Sequence, residues 1–254
     1  MGEVATPRYK RLALRAAGWL EEQASRLQGK GFGAATTEQE VSAMLATLGR
    51  TPTLAVDIGG NLGQYTAALR AVAPELAIHV FEPSPHNLAV LREAFSGDTR
   101  ITIVPAAVSD AAGSATLFAN TPGSGLASLT KRRLDHFNIP FEHEDVVQTV
   151  RFEDYWREVL GSAPIDIVKI DVEGHELSVL RGFGAAIRAT SVLQFEFGGC
   201  NIDTRTYFQD FWYYFKEHGF ALYRISPLGL QKVAYYAEAD EFFRTTNYIA
   251  VRQG

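Results

Sequence analysis

Residues 54–63 constrain this chain more than any other stretch. Leu54-Ala55-Val56 runs into Asp57, and Ile58 then leads into a turn holding Gly59, Gly60, Asn61 and Gly63. An amphipathic stretch begins at Gln64. Strand, glycine turn and helix in that order open the first crossover of a doubly wound α/β sheet. A second apolar run, Ile78-His79-Val80-Phe81, ends on Glu82. That is roughly 20 residues past the glycines, where such folds carry an acid for a ribose. With no ligand at all, Gly59 and Gly63 would still allow positive φ and close helix–strand packing.

The acid at the first strand's end narrows the choice of nucleotide. A dinucleotide lays its pyrophosphate against the glycine turn and the helix N-terminus, and an unpaired Asp57 would repel it. Asn61 also stands where close backbone approach normally needs glycine. S-adenosylmethionine (SAM) carries a sulfonium, an ammonium group and a ribose diol, with no phosphate. Asp57 suits its cationic methionine end, directly or through water, and Glu82 suits both ribose hydroxyls through charge-assisted bonds.

A length of 254 residues fits one α/β domain with appendages. The net charge of −5 argues against a general nucleic-acid or anionic-membrane binder. Lys131-Arg132-Arg133 is a local cluster whose default reading is a solvated helix face. Cys200, the single cysteine, excludes an intrachain disulfide and a cysteine-rich metal site, and reads as structural. No long apolar run or secretory leader is evident, so a cytoplasmic protein without a membrane span is expected.

Residues 7–28 recur at the helical period and stop at Gly29-Lys30-Gly31; Thr37 with Glu40 resembles a capping box opening a helix to about Leu48. Residues 1–50 are therefore expected as a helical extension that covers the cofactor or forms a homodimer contact, ahead of a catalytic domain at 51–254. Strands are predicted at 53–57, 77–81, 101–104, 165–170, 191–197, 220–225 and 246–252, and helices at 63–72, 84–95, 174–188 and 204–218. The alternation implies a mostly parallel sheet with helices on both faces, its last two strands forming an antiparallel hairpin at one edge. Between Leu117 and Arg151 the pattern breaks, and residues 120–150 read as a lid over the acceptor, or as a surface loop.

Val56-Asp57-Ile58-Gly59-Gly60-Asn61-Leu62-Gly63, Phe81-Glu82-Pro83 and Ile167-Val168-Lys169-Ile170-Asp171-Val172-Glu173-Gly174-His175-Glu176 resemble the FkbM-type SAM-dependent methyltransferases. Ala107-Val108-Ser109-Asp110, Leu180-Arg181-Gly182 and Glu196 are similar to that family as well. The resemblance covers roughly residues 50–252, with the Lys-Ile-Asp-Val-Glu-Gly block its most specific part. It implies the Rossmann-like class I methyltransferase fold, a sheet of seven strands with the last antiparallel, and methylation of hydroxyls on sugars or polyketides. It also implies SAM contacts from Asp57, Gly59, Asn61, Gly63, Glu82, Pro83, Ala107 and Asp171. Gly60 departs from the family's more usual alanine, a change that leaves the turn workable.

Methyl transfer to an unactivated hydroxyl needs in-line alignment and a base or a metal. Lys169, Asp171 and Glu173 alternate along an extended segment, and Gly174 releases the chain into the next helix. Asp171 is the first candidate for the active-site carboxylate, with Glu173 and His175 following on the turn. His175 titrates near neutrality, at about 6.5 when unperturbed; a solvent-facing helix start is its alternative. Lys169 reads equally well as a structural partner of Asp171 or Glu196. A Mg²⁺ ion on Asp171, Glu196 and Asn201 is a less favoured alternative. His136 and His143 could act as base or sugar contact, or belong to a loop. The rival functions are an NAD-dependent oxidoreductase or epimerase, which lacks its usual Tyr-x-x-x-Lys pair here, and a scaffold without activity. A glycan or small-molecule acceptor is the expected partner.

Overall fold

The computed structural model describes residues 7–32 and 37–254. Two helices come first, α1 (Arg8–Leu27) and α2 (Thr37–Leu48). Glu40, expected to cap α2 with Thr37, instead turns both carboxylate oxygens to the sheet. They accept from Gln194 Nε2 at 2.7 Å and Asn247 Nδ2 at 2.9 Å. In contrast, α1 has no buried residue, and every position from Pro7 to Glu21 is exposed.

Strand and helix then alternate: β1 (Leu54–Ile58), α3 (Gln64–Val72), β2 (Ala77–Phe81), α4 (Pro85–Ala94) and β3 (Ile101–Val104). A small sheet follows, made of β4 (Ala107–Ser109), β5 (Gly113–Ala119) and β6 (His143–Arg151) in the order β4-β6-β5. The remaining elements are α5 (Phe152–Glu158), β7 (Ile165–Ile170), α6 (Glu176–Gly182), β8 (Thr190–Phe197), α7 (Cys200–Thr204), α8 (Phe208–Glu217), β9 (Phe220–Ser226), β10 (Gly229–Val233) and β11 (Thr246–Arg252).

The main sheet runs β10-β9-β11-β8-β7-β1-β2-β3. It is parallel from β3 through β8, and β11 is antiparallel to both its neighbours. Helices cover both faces, which is why β1 and β7 are buried at every position. Val56 and Ile58 pack with Phe152 of α5, Leu180 of α6 and Phe211 of α8. Ala55 packs on the other side with Met44 of α2, Leu69 of α3 and Leu91 of α4. The aromatic run at 207–223 is mainly core: Phe208, Phe211 and Phe215 are fully buried.

Four expectations change in detail. The pair β9–β11 is antiparallel but internal, because β11 slots between β8 and β9, and the edge hairpin is β9–β10 around Pro227-Leu228. This adds an eighth strand. The expected helix 174–188 stops at Gly182, and residues 184–189 form a 3₁₀ segment after Gly184 at φ +47°. The expected helix 204–218 begins only at Phe208: α7 ends at Thr204, Arg205 turns left-handed (φ +54°), and Asp210 Oδ2 accepts the Tyr207 N–H at 2.9 Å to open α8. The 120–150 insertion is not all loop: residues 143–151 are β6, paired with β5 from His143 to Thr149 and with β4 from Thr149 to Arg151.

Candidate active site

The carboxyl ends of β1, β2 and β7 converge on a cleft. Its wall includes Gly59, Asn61, Glu82, Pro83, Ala107, Asp171, Glu173 and His175, and residues of the 124–129 segment close it from the insertion. Gly59 holds φ +86°, and a methyl group there would sit 1.9 Å from the Asp171 carbonyl oxygen, so β1 and β7 touch through bare backbone. Gly63 does not line the cleft. It starts α3 at φ +84°, and a side chain there would meet Leu91 and Phe95 within 2.8 Å, making its role packing.

Asn61 sits in the left-handed region (φ +48°) and aims its backbone N–H at Glu82 Oε2, 2.7 Å away. The Ser84 N–H donates to Glu82 Oε1 at 2.8 Å. Both oxygens are thus oriented while keeping a second lone pair each. Burial pushes the Glu82 pKa up to about 6, against the pull of those two donors and, more weakly, of the Asn87 side chain. Asn87 donates to Asn61 Oδ1 at 3.1 Å, and among the described residues its own Oδ1 and the Ser84 hydroxyl are buried without a partner beside the cleft.

Asp57 is fully buried and does not line the cleft wall, which leaves the water-mediated form of its expected contact with the donor's methionine end. It accepts from the Thr66 hydroxyl at 2.7 Å and lies 3.7 Å from Lys169 Nζ, its in-register neighbour on β7. Lys169 also reaches Asp171 at 3.3 Å and lies over the Tyr65 ring. Burial opposes the Lys169 charge, but Asp171 and Asp57 outweigh it and hold the ammonium above its ordinary range. The ammonium is thereby paired with both acids, as the structural reading of Lys169 expects for Asp171.

The turn after β7 carries the remaining acids. Glu173 adopts φ +53° and Gly174 φ +101°. The turn is tied from within, since Glu176 Oε1 accepts the N–H groups of Val172 at 3.2 Å and Gly174 at 3.0 Å. It is tied from outside by the Ser128 hydroxyl on the Glu173 carbonyl at 2.8 Å. Burial, then Asp171, pushes the Glu173 carboxyl up to about 7, although Arg132 Nη1 donates to it at 2.5 Å. His175 Nε2 lies 2.9 Å from the Ser109 hydroxyl, and burial lowers the imidazole below its ordinary value, keeping it neutral.

Arg132 is the site residue that sequence reasoning missed. It is not on a helix face: its side chain is 9% exposed, clamped between Glu173 and Asp203. Only the neighbours Lys131 and Arg133 are solvated, paired to Glu144 and Asp135. His136 and His143 are absent from the cleft wall; His143 instead bonds Asp145 on β6 at 2.9 Å.

Asp171, Glu196 and Asn201 do not form the magnesium site considered above. Asn201 is fully buried, its Oδ1 accepting from the Gly198 N–H and its amide bonded to Thr206. Among the described residues, the side chains close enough to share an ion are Glu173, Glu196 and Cys200. Burial pushes the Cys200 thiol far up, and a neutral soft thiol is a poor ligand for hard magnesium.

Residues 57–222 match the family model described as Methyltransferase FkbM domain. The chain is 28% identical over 145 residues to Methyltransferase 1 of Beauveria bassiana, covering 50% of this chain and 57% of that protein. It is 31% identical over 156 residues to Methyltransferase sdnD of Sordaria araneosa, covering 50% and 59%. A third relative is 2-O-methyltransferase NoeI of Sinorhizobium fredii, 26% identical over 186 residues, covering 69% and 76%. The chain thus spans less than two thirds of the first two relatives' length.

Proposed function

The chain belongs to the FkbM methyltransferase family, and from that premise we propose that it transfers a methyl group from SAM to a hydroxyl oxygen of a sugar or other secondary-metabolite acceptor. The observation that carries the reading is the Glu82 carboxylate, aimed by two backbone N–H groups with a lone pair left on each oxygen. A vicinal diol matches that geometry, and the unpartnered Asn87 Oδ1 beside it offers one more acceptor. A pyrophosphate would meet an acid where it needs donors. When bound, SAM supplies an electrophilic methyl group on a sulfonium cation.

The chain's own residues then divide the remaining tasks. Glu82 holds the ribose. Asp171, steadied by Lys169, faces the positive methionine end. Glu173 takes the acceptor proton, since a carboxyl held at about 7 accepts and releases protons near neutrality. Arg132 keeps Glu173 in place and links the insertion to the cleft floor. Oxygen as the acceptor atom is supported by the relative whose name specifies 2-O-methylation. Acceptor choice falls to the surface beyond Arg132, where Phe137, Ile202, Asp203 and Phe243 frame a groove.

Transfer of labelled methyl from SAM to a panel of glycosides and small alcohols tests the reaction, and calorimetry with SAM against NAD tests the cofactor. Label on a hydroxyl oxygen is the expected result. Tight NAD binding without SAM binding would move the chain to the oxidoreductases, and SAM binding without transfer to any acceptor class would favour a scaffold.

A further inference from the structure

Helix α1 has a design that the methyltransferase reading leaves unused. From Pro7 to Glu21 every residue is exposed, including Tyr9, Leu12, Leu14, Trp19 and Leu20, each at 60% or more. A helix in contact with so little protein is marginal in water, so its apolar side calls for a partner. At about 100° per residue, Tyr9, Leu12, Ala13, Ala16, Ala17, Trp19, Leu20, Ala24 and Leu27 share one broad sector. Arg8, Arg15 and Arg26 border that sector on one side and Lys10 on the other; Glu22, paired with Arg26, and Glu21 lie just beyond these borders, with Arg11 and Leu14 on the far face and Gln23 inside the sector.

We propose that α1 is an interfacial anchor that lies on an anionic lipid bilayer. The occupant follows from charge placement. Cations sit directly on both borders, nearer the apolar sector than either acid, so they can reach lipid phosphates while the sector between them enters the acyl boundary, with Trp19 at its edge. A seam against a second copy would need only a narrow apolar stripe, not a sector about 160° wide with cations on both borders. The net charge of −5 averages over the chain, whereas α1 carries five basic and two acidic side chains. Its C-terminal end is fastened to the carboxyl edge of the main sheet: the Gly31 N–H donates to Thr246 Oγ1 at 3.0 Å, and Arg224 Nη1 to the Gln28 carbonyl at 3.3 Å. Lipid attachment therefore holds the sheet edge that carries the cleft within about one helix length of the membrane, roughly 30 Å.

The test is co-flotation of the full chain with vesicles of phosphatidylcholine alone and of phosphatidylcholine with about one third phosphatidylserine. We expect flotation with the anionic vesicles, about tenfold or more weaker on neutral ones and in high salt. The pairs Leu12→Glu/Leu20→Glu and Arg8→Glu/Arg15→Glu should each abolish it. SAM binding and melting temperature should stay unchanged, since neither pair contacts the body. A wild-type chain that stays with the soluble fraction overturns the anchor, as does flotation indifferent to both pairs. A dimer in sedimentation velocity that Leu12→Glu/Leu20→Glu dissociates, without flotation, assigns the face to a second copy. The result is independent of whether SAM is the donor.

Discussion

At the scale of the residue, Glu82 and Asp57 show how differently two buried acids are used. Glu82 must be ionised to accept from a ribose, and burial places its pKa at about 6. SAM affinity measured by calorimetry should therefore fall as pH drops below about 6. Glu82→Gln should bind at least roughly tenfold more weakly at neutral pH, with that pH dependence gone. Asp57 answers to Lys169 and Thr66, not to the cleft. Asp57→Ala should cost about 3 kcal/mol in denaturant unfolding, the low end for breaking a buried pair, because Lys169 keeps Asp171. Near-native stability would return Asp57 to the binding site. Glu173→Gln should lower kcat by about 10²–10⁴-fold with SAM affinity retained, and remove the limb of the pH–rate profile near pH 7. A full-rate Glu173→Gln would shift the proton to another group. These acids were readable from their position at strand ends. Which of them faced the cleft was not, because one residue of register decides the face.

At the scale of the element, the glycine turn and the two strands behind it act as one unit. Gly60 stands where the family more usually has alanine, and the reason is local: a methyl group there would lie 2.2 Å from Val80 Cγ1 on β2, itself fully buried. Gly60→Ala should thus destabilise by about 1–3 kcal/mol through overpacking. Adding Val80→Ala should recover part of the loss, read as a positive coupling in a double-mutant cycle; strictly additive losses would refute the clash. The long apolar strands of the main sheet were legible because burial on both faces leaves an unbroken apolar run. The sheet of β4, β5 and β6 was not. In β6 only Val147 and Thr149 are buried, while His143, Glu144, Asp145, Gln148 and Arg151 are half-buried or exposed, so charge hides the period, and β4 is three residues long. Arg132 was hidden for a related reason: its partners, Glu173 and Asp203, are distant in the sequence.

At the scale of the whole molecule, acids gather on one edge of the sheet. Burial raises Glu40, Asp57 and Glu196, and holds Glu82 at about 6 and Glu173 and Glu176 at about 7. A carboxyl whose folded pKa exceeds its unfolded value binds more protons when folded, so stability falls as pH rises between the two. Asp98, Glu153 and Asp166 are shifted the other way, and their contribution is lost only in more acidic solution. The ligand-free protein should melt at a higher temperature at pH 5 than at pH 7.5; a flat or opposite trend in thermal scans would mean these acids are better solvated than the fold implies. The threading of β11 between β8 and β9 has a further consequence for how the chain is made. On the ribosome, β9 emerges well before the strand that must separate it from β8. Until β11 arrives, two edges wait open beside each other and Glu40 lacks its Asn247 contact. Nascent chains of this kind need those edges shielded from one another, and chaperone dependence during synthesis should end abruptly once β11 clears the tunnel.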